Sequence, residues 1–189
     1  DPEGRLTLYS VISDEYSEKF KAVPAEIPNF GFTKSVYWVR FSVINNSTGE
    51  LQKYLEIGFP LLDRVEFYTF DINSRNEYAL LHQNTTGRDF VFSSRLFKHR
   101  NFIFPVQIPA GSERAFYLRI ETDDGMIFPL TMWNPIVFTE RMQLENFLLG
   151  IYYGIIIVMI LYNLFIFIFT RDRNYLTYIF YIACFGLFQ

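Results

Sequence analysis

With 189 residues and a formal net charge of -3 at pH 7, the chain has room for one domain of ordinary size plus a short additional part. It contains no run of Lys and Arg that could follow a phosphate backbone, so a nucleic-acid partner is not expected. Half of the residues are hydrophobic, and after Glu145 the only charged residues are Arg171, Asp172 and Arg173, which predicts a water-exposed N-terminal part and a lipid-embedded C-terminal part.

Residues that could hold a metal or form a disulfide are few. Cys184 is the only cysteine and lies in the C-terminal apolar segment, so the N-terminal part has to be stable without disulfides. His82 and His99 are the only histidines, and neither has a cysteine or carboxylate at ligand spacing. We therefore predict no metal site and no cofactor. No nucleophile elbow, phosphate loop or spaced carboxylate pair is found, so no catalytic residue is predicted and this segment is not expected to be an enzyme.

Residues 6–133 show the period of two that is typical of half-buried strands. Val39, Phe41 and Val43, for example, alternate with Trp, Arg and Ser. Turn sequences rich in Asn, Asp, Gly and Pro separate the segments, and no amphipathic helix is predicted between them. The predicted strands lie near residues 6–11, 37–45, 51–58, 64–71, 78–83, 101–108, 115–122 and 126–133. Eight short strands without helices indicate an all-β, jelly-roll-like sandwich in a domain of residues 1–135.

Two long stretches do not follow this alternation. Residues 14–32 contain Pro24, Pro28 and Gly31 and are predicted to be a connection that wraps the sandwich. Residues 85–99 are predicted to form a second loop. Binding groups tend to lie on such long loops.

The side of the strands opposite the apolar core offers a candidate ligand site. Sugar recognition needs flat aromatic surface beside directional polar groups, and this side of the strands has both. We predict a site for a small polar ligand, with carbohydrate as the first candidate, formed by Trp38, Arg40, Tyr68, Tyr117, Arg119 and Trp133. The alternative is that these residues are solvated cross-strand pairs, which are common on the outer faces of sandwiches.

Residues 147–169 form an uncharged apolar stretch. As an α-helix this stretch rises about 34 Å, enough to cross a hydrocarbon core of about 30 Å. Thr139 is a suitable N-cap, so we predict a first membrane helix with a juxtamembrane extension at residues 139–170. A buried helix of a large soluble core is the alternative. Residues 174–189 are uncharged but too short for a crossing, and we expect them to begin a second span in a chain that continues further.

Three residues of the predicted span bear on helix packing. Gly150 and Gly154 form a Gly-x-x-x-Gly pair, which lets another helix approach closely, either within one bundle or in a homodimer. Asn163 is the lone strongly polar side chain deep in the span. An interhelical hydrogen bond is expected for its amide.

Several segments, in this order and spacing, resemble a known family. Residues 31–41 (GFTKSVYWVRF), 56–68 (EIGFPLLDRVEFY) and 116–120 (FYLRI) resemble the second type of extracellular domain of bacterial seven-transmembrane receptors with diverse intracellular signalling modules. Residues 161–164 (LYNL) and 171–178 (RDRNYLTY) resemble the end of the first helix and the start of the second helix of that receptor bundle.

The resemblance implies a sensor in a bacterial inner membrane, with a domain similar to carbohydrate-binding modules in the periplasm or outside. Seven helices and a cytoplasmic output domain are then expected, with the ligand, the lipid bilayer, the other helices and a second copy of the receptor as partners. Arg171 and Arg173 after the span, against Arg141 before it, favour the same orientation. A membrane-anchored glycan-processing enzyme, a transporter accessory domain and a scaffold for a partner protein are the alternatives.

Overall fold

The computed structural model describes residues 1–23, 27–72 and 78–188. Part of the predicted connection at 14–32 and the last residue of the predicted second span lie outside the described residues. The chain forms two compact units, Asp1–Pro135 and Ile136–Gln189. The first unit contains all of the described strands, and the second is helical.

Within the described ranges the first unit contains two short α-helices, one turn of 3-10 helix (Phe92–Ser94) and nine strands. They are α1 (Leu8–Ile12), α2 (Asp14–Ser17), β1 (Asn29–Phe32), β2 (Tyr37–Ile44), β3 (Leu51–Ile57), β4 (Arg64–Ile72), β5 (Tyr78–Thr86), β6 (Phe102–Ile108), β7 (Glu113–Glu121), β8 (Gly125–Ile127) and β9 (Leu130–Trp133). All of the strand pairs are antiparallel. The sheets have the orders β2–β7–β4–β5, β6–β3–β9 and β1–β8.

The two larger sheets pack face to face, and the predicted β sandwich is confirmed. Phe67 of β4 stacks on Phe104 of β6 with ring centroids 4.6 Å apart, and its centroid lies 5.8 Å from that of Phe116 on β7. Ile57 and Ile108 are fully buried in the same cluster. Burying each of these large side chains contributes about 1.5–3 kcal/mol, which explains how the domain forms a core without disulfides.

The last predicted strand, residues 126–133, is divided into two strands that belong to different sheets. Pro129 separates β8, which pairs with β1, from β9, which pairs with β3. Proline has no N–H to donate to a ladder, and the Pro129 carbonyl instead accepts a hydrogen bond from the Gly58 amide at 3.0 Å. If β8 and β9 are counted as one interrupted strand, the sheet orders become β1–β8/β9–β3–β6 and β2–β7–β4–β5. This order supports the jelly-roll interpretation, which stays a prediction.

The predicted strand at residues 6–11 is wrong. Leu8–Ile12 is helical, with the Thr7 hydroxyl accepting a hydrogen bond from the Ser10 amide as N-cap. Leu8, Val11 and Ile12 have the i, i+3, i+4 spacing of one helix face, and Val11 is buried. Strand β1 was not predicted, because it lies in the stretch that we expected to be a connection.

The second unit contains two helices, α3 (Pro135–Thr170) and α4 (Arg173–Leu187). Pro135, the first residue of α3, is the last residue of the first unit. α3 begins at Pro135, so Thr139 lies inside it and is not its N-cap. Proline suits the first position of a helix because the N–H that it lacks would have no partner within the helix. α4 begins after Asp172, whose side chain accepts a hydrogen bond from the Asn174 amide at 3.0 Å. Among the described helices, α3 alone is long and apolar enough to cross a membrane.

Gly87 allows the close approach of the two loops that precede β4 and follow β5. Its φ is +153°, and a Cβ at this position would overlap the backbone carbonyl oxygen of Asp63. We expect Gly87→Ala to reduce the free energy of unfolding by at least about 3 kcal/mol, because backbone would have to move. Urea unfolding of the whole chain in detergent, followed by circular dichroism, measures this loss.

Gly49→Ala is the matched control, since a Cβ there meets no described atom within 4 Å. Its free energy of unfolding should stay within about 0.5 kcal/mol of the wild type. Equal losses for the two variants would contradict the close approach at Gly87.

Candidate ligand-binding site

Part of the outer face of the four-stranded sheet is apolar and is covered by residues 6–20, which we call the N-terminal cover. Val11 of α1 packs into a cluster with Phe70 and Ala115 of the sheet, and Phe20 lies against the same cluster. The rings of Phe20 and Tyr117 meet edge to face at 6.3 Å. The sandwich therefore has a second, smaller apolar layer outside its main core.

The N-terminal cover buries two of the predicted site residues. Tyr68 is 5% exposed and Tyr117 is 1% exposed. The Tyr68 hydroxyl donates a short hydrogen bond to the Glu66 carboxylate. Burial, followed by this hydrogen bond and the Glu66 charge, raises the pKa of Tyr68 well above its usual range. Neither tyrosine offers a ring face to a ligand while the cover is in place.

Arg119 belongs to a charge network on the same face. Its guanidinium lies 2.8 Å from a Glu121 oxygen and 3.6 Å from a Glu66 oxygen. Arg64 donates to the same buried carboxylate of Glu66 at 2.7 Å. A buried carboxylate needs such partners, so the position of Arg119 is explained by the fold.

Trp133 lies apart from the other predicted site residues, on strand β9 of the three-stranded sheet. Its indole N–H donates to the Glu56 carboxylate at 2.6 Å, and the Asn101 amide donates to the other Glu56 oxygen at 2.6 Å. Glu56 is only 5% exposed. Nothing in the strand alternation indicated this buried carboxylate, because a glutamate next to apolar residues is more often a solvated outward position.

Trp38 and Arg40 line a cleft of about 850 Å³ beside edge strand β2, and this volume is in the range of small-molecule sites. The N-terminal cover forms one wall. The aromatic lining consists of Tyr16, Phe20, Phe30, Tyr37, Trp38 and Phe128. Phe30 stacks on Tyr37 with centroids 4.3 Å apart and on Phe128 at 5.8 Å, so this end of the cleft presents a continuous aromatic surface.

The polar groups of the cleft are mainly hydrogen-bond donors. Arg40 donates to the Ser17 hydroxyl at 2.7 Å and lies beside Tyr117, and its guanidinium carbon lies 4.6 Å from the centroid of the Phe20 ring. The indole N–H of Trp38 is buried, and no described residue accepts a hydrogen bond from it. Such a donor is costly to leave unpaired, which makes it a candidate contact for a bound ligand.

Sequence reasoning found Trp38 and Arg40 but missed the residues that the N-terminal cover adds to the cleft. Phe20, Lys19 and Lys21 lie in the stretch that we read as a connection. Phe20 between two lysines was a possible signal of a contact with the domain, because a phenylalanine in a connecting segment is more often buried than exposed to water. The fold places Lys19, Phe20 and Lys21 in the lining of the cleft beside β2, which begins 16 residues after Lys21.

Family models match both parts of the chain. The model described as 7TMR-DISM extracellular 2 matches residues 1–134, and the model described as 7TM diverse intracellular signalling matches residues 145–189. The chain belongs to this family of seven-transmembrane signalling receptors. Residues 1–134 are thus the extracellular sensor domain of the receptor, outside the cytoplasm, and α3 belongs to its transmembrane part. No curated protein matches the chain.

Within the transmembrane part of the receptor, Asn163 and the two glycines differ in their surroundings. The Asn163 amide donates to the Met159 carbonyl of its own helix at 2.8 Å, and the interhelical hydrogen bond of this side chain stays a prediction. A Cβ on Gly150 or Gly154 would meet no described atom within 4 Å. α4 instead approaches α3 at Gly186, where a Cβ would lie 3.1 Å from Ile156. The role of the Gly-x-x-x-Gly pair in packing or dimerisation stays a prediction.

The raised pKa of Tyr68 predicts how the stability of the receptor depends on alkaline pH. An unfolded tyrosine ionises near pH ~10, whereas folded Tyr68 keeps its proton to higher pH. Its stabilising contribution is present below pH ~10 and is lost as the pH rises from there toward the folded pKa, at up to about 1.4 kcal/mol per pH unit. We expect the wild type to lose stability more steeply than Tyr68→Phe in urea titrations between about pH 9 and pH 11.

Tyr9→Phe serves as the control, because Tyr9 is 81% exposed and its removal should leave the wild-type slope unchanged. Parallel curves for the wild type and Tyr68→Phe would show that the Tyr68 proton does not contribute.

Proposed function

We propose that the sensor domain binds a small polar ligand in the cleft beside β2 and that the receptor lies in a bacterial inner membrane with this domain in the periplasm. The observation that carries the proposal is the cleft itself, which is lined by aromatic side chains and by Trp38, whose N–H has no acceptor among the described residues. Saccharides are the first ligand class to test, because aromatic surface beside directional donors suits them and the extracellular domain of this receptor family resembles carbohydrate-binding modules. The remaining helices and a cytoplasmic output domain complete the proposed receptor.

The cleft has the features that a ligand site requires. Its volume of about 850 Å³ accommodates a molecule of several rings. Aromatic side chains supply stacking surface, and Arg40 and Trp38 supply fixed donors that orient a ligand. One wall belongs to the N-terminal cover, which consists mainly of two short helices and therefore has few backbone bonds of its own to break. A ligand that prefers one position of this wall shifts the population of domain conformations.

We propose that α3 transmits this shift to the membrane. α3 is a single α-helix of 36 residues, about 54 Å long at 1.5 Å per residue. It begins two residues after Trp133, whose indole is anchored on Glu56. An unbroken helix is stiffer than a flexible linker of the same length, so a change at its first turn is passed on along its axis.

Binding in the cleft is tested with a panel of neutral saccharides, sugar acids and small organic acids. Titration calorimetry on the whole chain in nanodiscs should find at least one ligand whose affinity falls about tenfold or more in Trp38→Ala, since both the ring and the N–H donor are lost. Trp133→Ala should bind that ligand as the wild type does, because Trp133 lies on the other sheet. Binding that depends on Trp133 but not on Trp38 would place the site elsewhere.

Transmission along α3 is tested by inserting a flexible Gly-Ser segment after Thr139. A fluorophore on Cys184, the only cysteine, reports on α4. We expect a ligand from the panel to change its emission in the wild type and not in the insertion variant, while calorimetry shows unchanged binding. The same insertion after Gly49, in an exposed turn, should leave the emission change intact. An unchanged response after insertion at Thr139 would refute transmission through the helix.

A further inference from the structure

We propose that the cleft selects a small organic acid, that is, a carboxylate on an apolar or aromatic body, over a neutral polyhydroxylated ligand. This inference rests on the proposed function, because it concerns the ligand class of the same cleft. It comes from the charges and the hydrogen-bonding groups that the described lining residues present.

The described part of the lining is positively charged. Lys19, Lys21 and Arg40 are its basic side chains, and Asp1 is the only carboxylate among the described lining residues. The two carboxylate oxygens of Asp1 already accept hydrogen bonds, one from the Arg5 amide at 3.2 Å and one from the Leu6 amide at 2.9 Å. Lys19 also contacts Glu15 at 3.2 Å, but both side chains are more than half exposed. An exposed ion pair of this kind is weak, so the Lys19 charge is still available to a ligand.

The hydrogen-bonding groups of the cleft have the same bias. The buried Trp38 N–H lacks an acceptor among the described residues. Arg40 has five N–H donors, and its contacts with Ser17 and Tyr117 use at most three of them. A ligand carboxylate is an acceptor for donors of this kind, and charge-assisted hydrogen bonds to Arg are about twice as strong as neutral ones.

The rest of the lining suits an apolar body better than a sugar ring. Sugar hydroxyl groups donate as well as accept, so a saccharide site normally offers carboxylate or amide acceptors. No Asn, Gln or Glu occurs among the described lining residues. Phe30, Tyr37 and Phe128 instead form the aromatic end of the cleft, and burying apolar ligand surface there is favourable.

Phenylacetate and octanoate are suitable probes, with phenylacetamide and octanamide as neutral counterparts of almost the same shape. Binding to the whole chain in nanodiscs is followed by calorimetry, and by Trp38 fluorescence in a Trp133→Phe background. We expect at least one acid to bind about tenfold or more tightly than its amide, because only the acid forms charge-assisted bonds.

Three variants locate the preference. Arg40→Gln should lower the affinity for the acid to that for the amide. Lys21 is exposed, and Lys21→Gln should lower the affinity for the acid several-fold without affecting the fold. Trp38→Phe keeps a ring and removes the donor, so it should weaken acid binding in calorimetry. Lys98→Gln, an exposed lysine outside the cleft, should change nothing.

The outcomes separate this inference from the proposed function. Equal affinity for acid and amide, or acid binding that is insensitive to Arg40→Gln and Lys21→Gln, overturns the acid preference. Trp38-dependent binding of a neutral saccharide without binding of either acid also overturns it and leaves the cleft as the ligand site. Loss of every Trp38-dependent interaction across the panel overturns both.

Discussion

The central strands of the four-stranded sheet are buried on both faces, and the arrangement of the sensor domain follows from this. Residues 65–68 of β4 and 115–118 of β7 are each four consecutive buried positions. Successive side chains of a strand point to opposite faces, so both faces of these strands need a cover. The three-stranded sheet covers one face, and residues 6–20 cover the other.

The second cover explains why charged groups on this face are tightly paired. Glu66 lies between apolar neighbours and is 6% exposed, and burying an ionised carboxylate is costly unless several donors approach it. Arg64, Arg119 and Tyr68 supply those donors. The paired charges fix which residues of β4 and β7 face each other across this surface.

The cover does not close over the edge of the sheet, and the cleft is what remains there. β2 is an edge strand, so Trp38 and Arg40 lie where the sheet, the N-terminal cover, Phe30 of β1 and Phe128, the residue after β8, meet. In the proposed receptor one segment has two roles, as the second apolar layer of the domain and as a wall of the ligand site. Occupation of the cleft then acts directly on the packing of the domain, at the face opposite to the sheet that leads through β9 to α3.

Local patterns in the sequence determined the sandwich, the position of the membrane helix and most of the strands, because alternation and uninterrupted apolar length are properties of a segment by itself. The family followed from the order of several such segments. Which face of the strands is open depended on a contact between residues 6–20 and strands that follow far along the chain. Only the tertiary structure decided that Tyr68 and Tyr117 are buried, that Trp133 belongs to the other sheet and that Pro129 divides a strand between two partners. Each of these depends on what packs against a segment, and a pattern of apolar residues states that a face must be covered without stating by what.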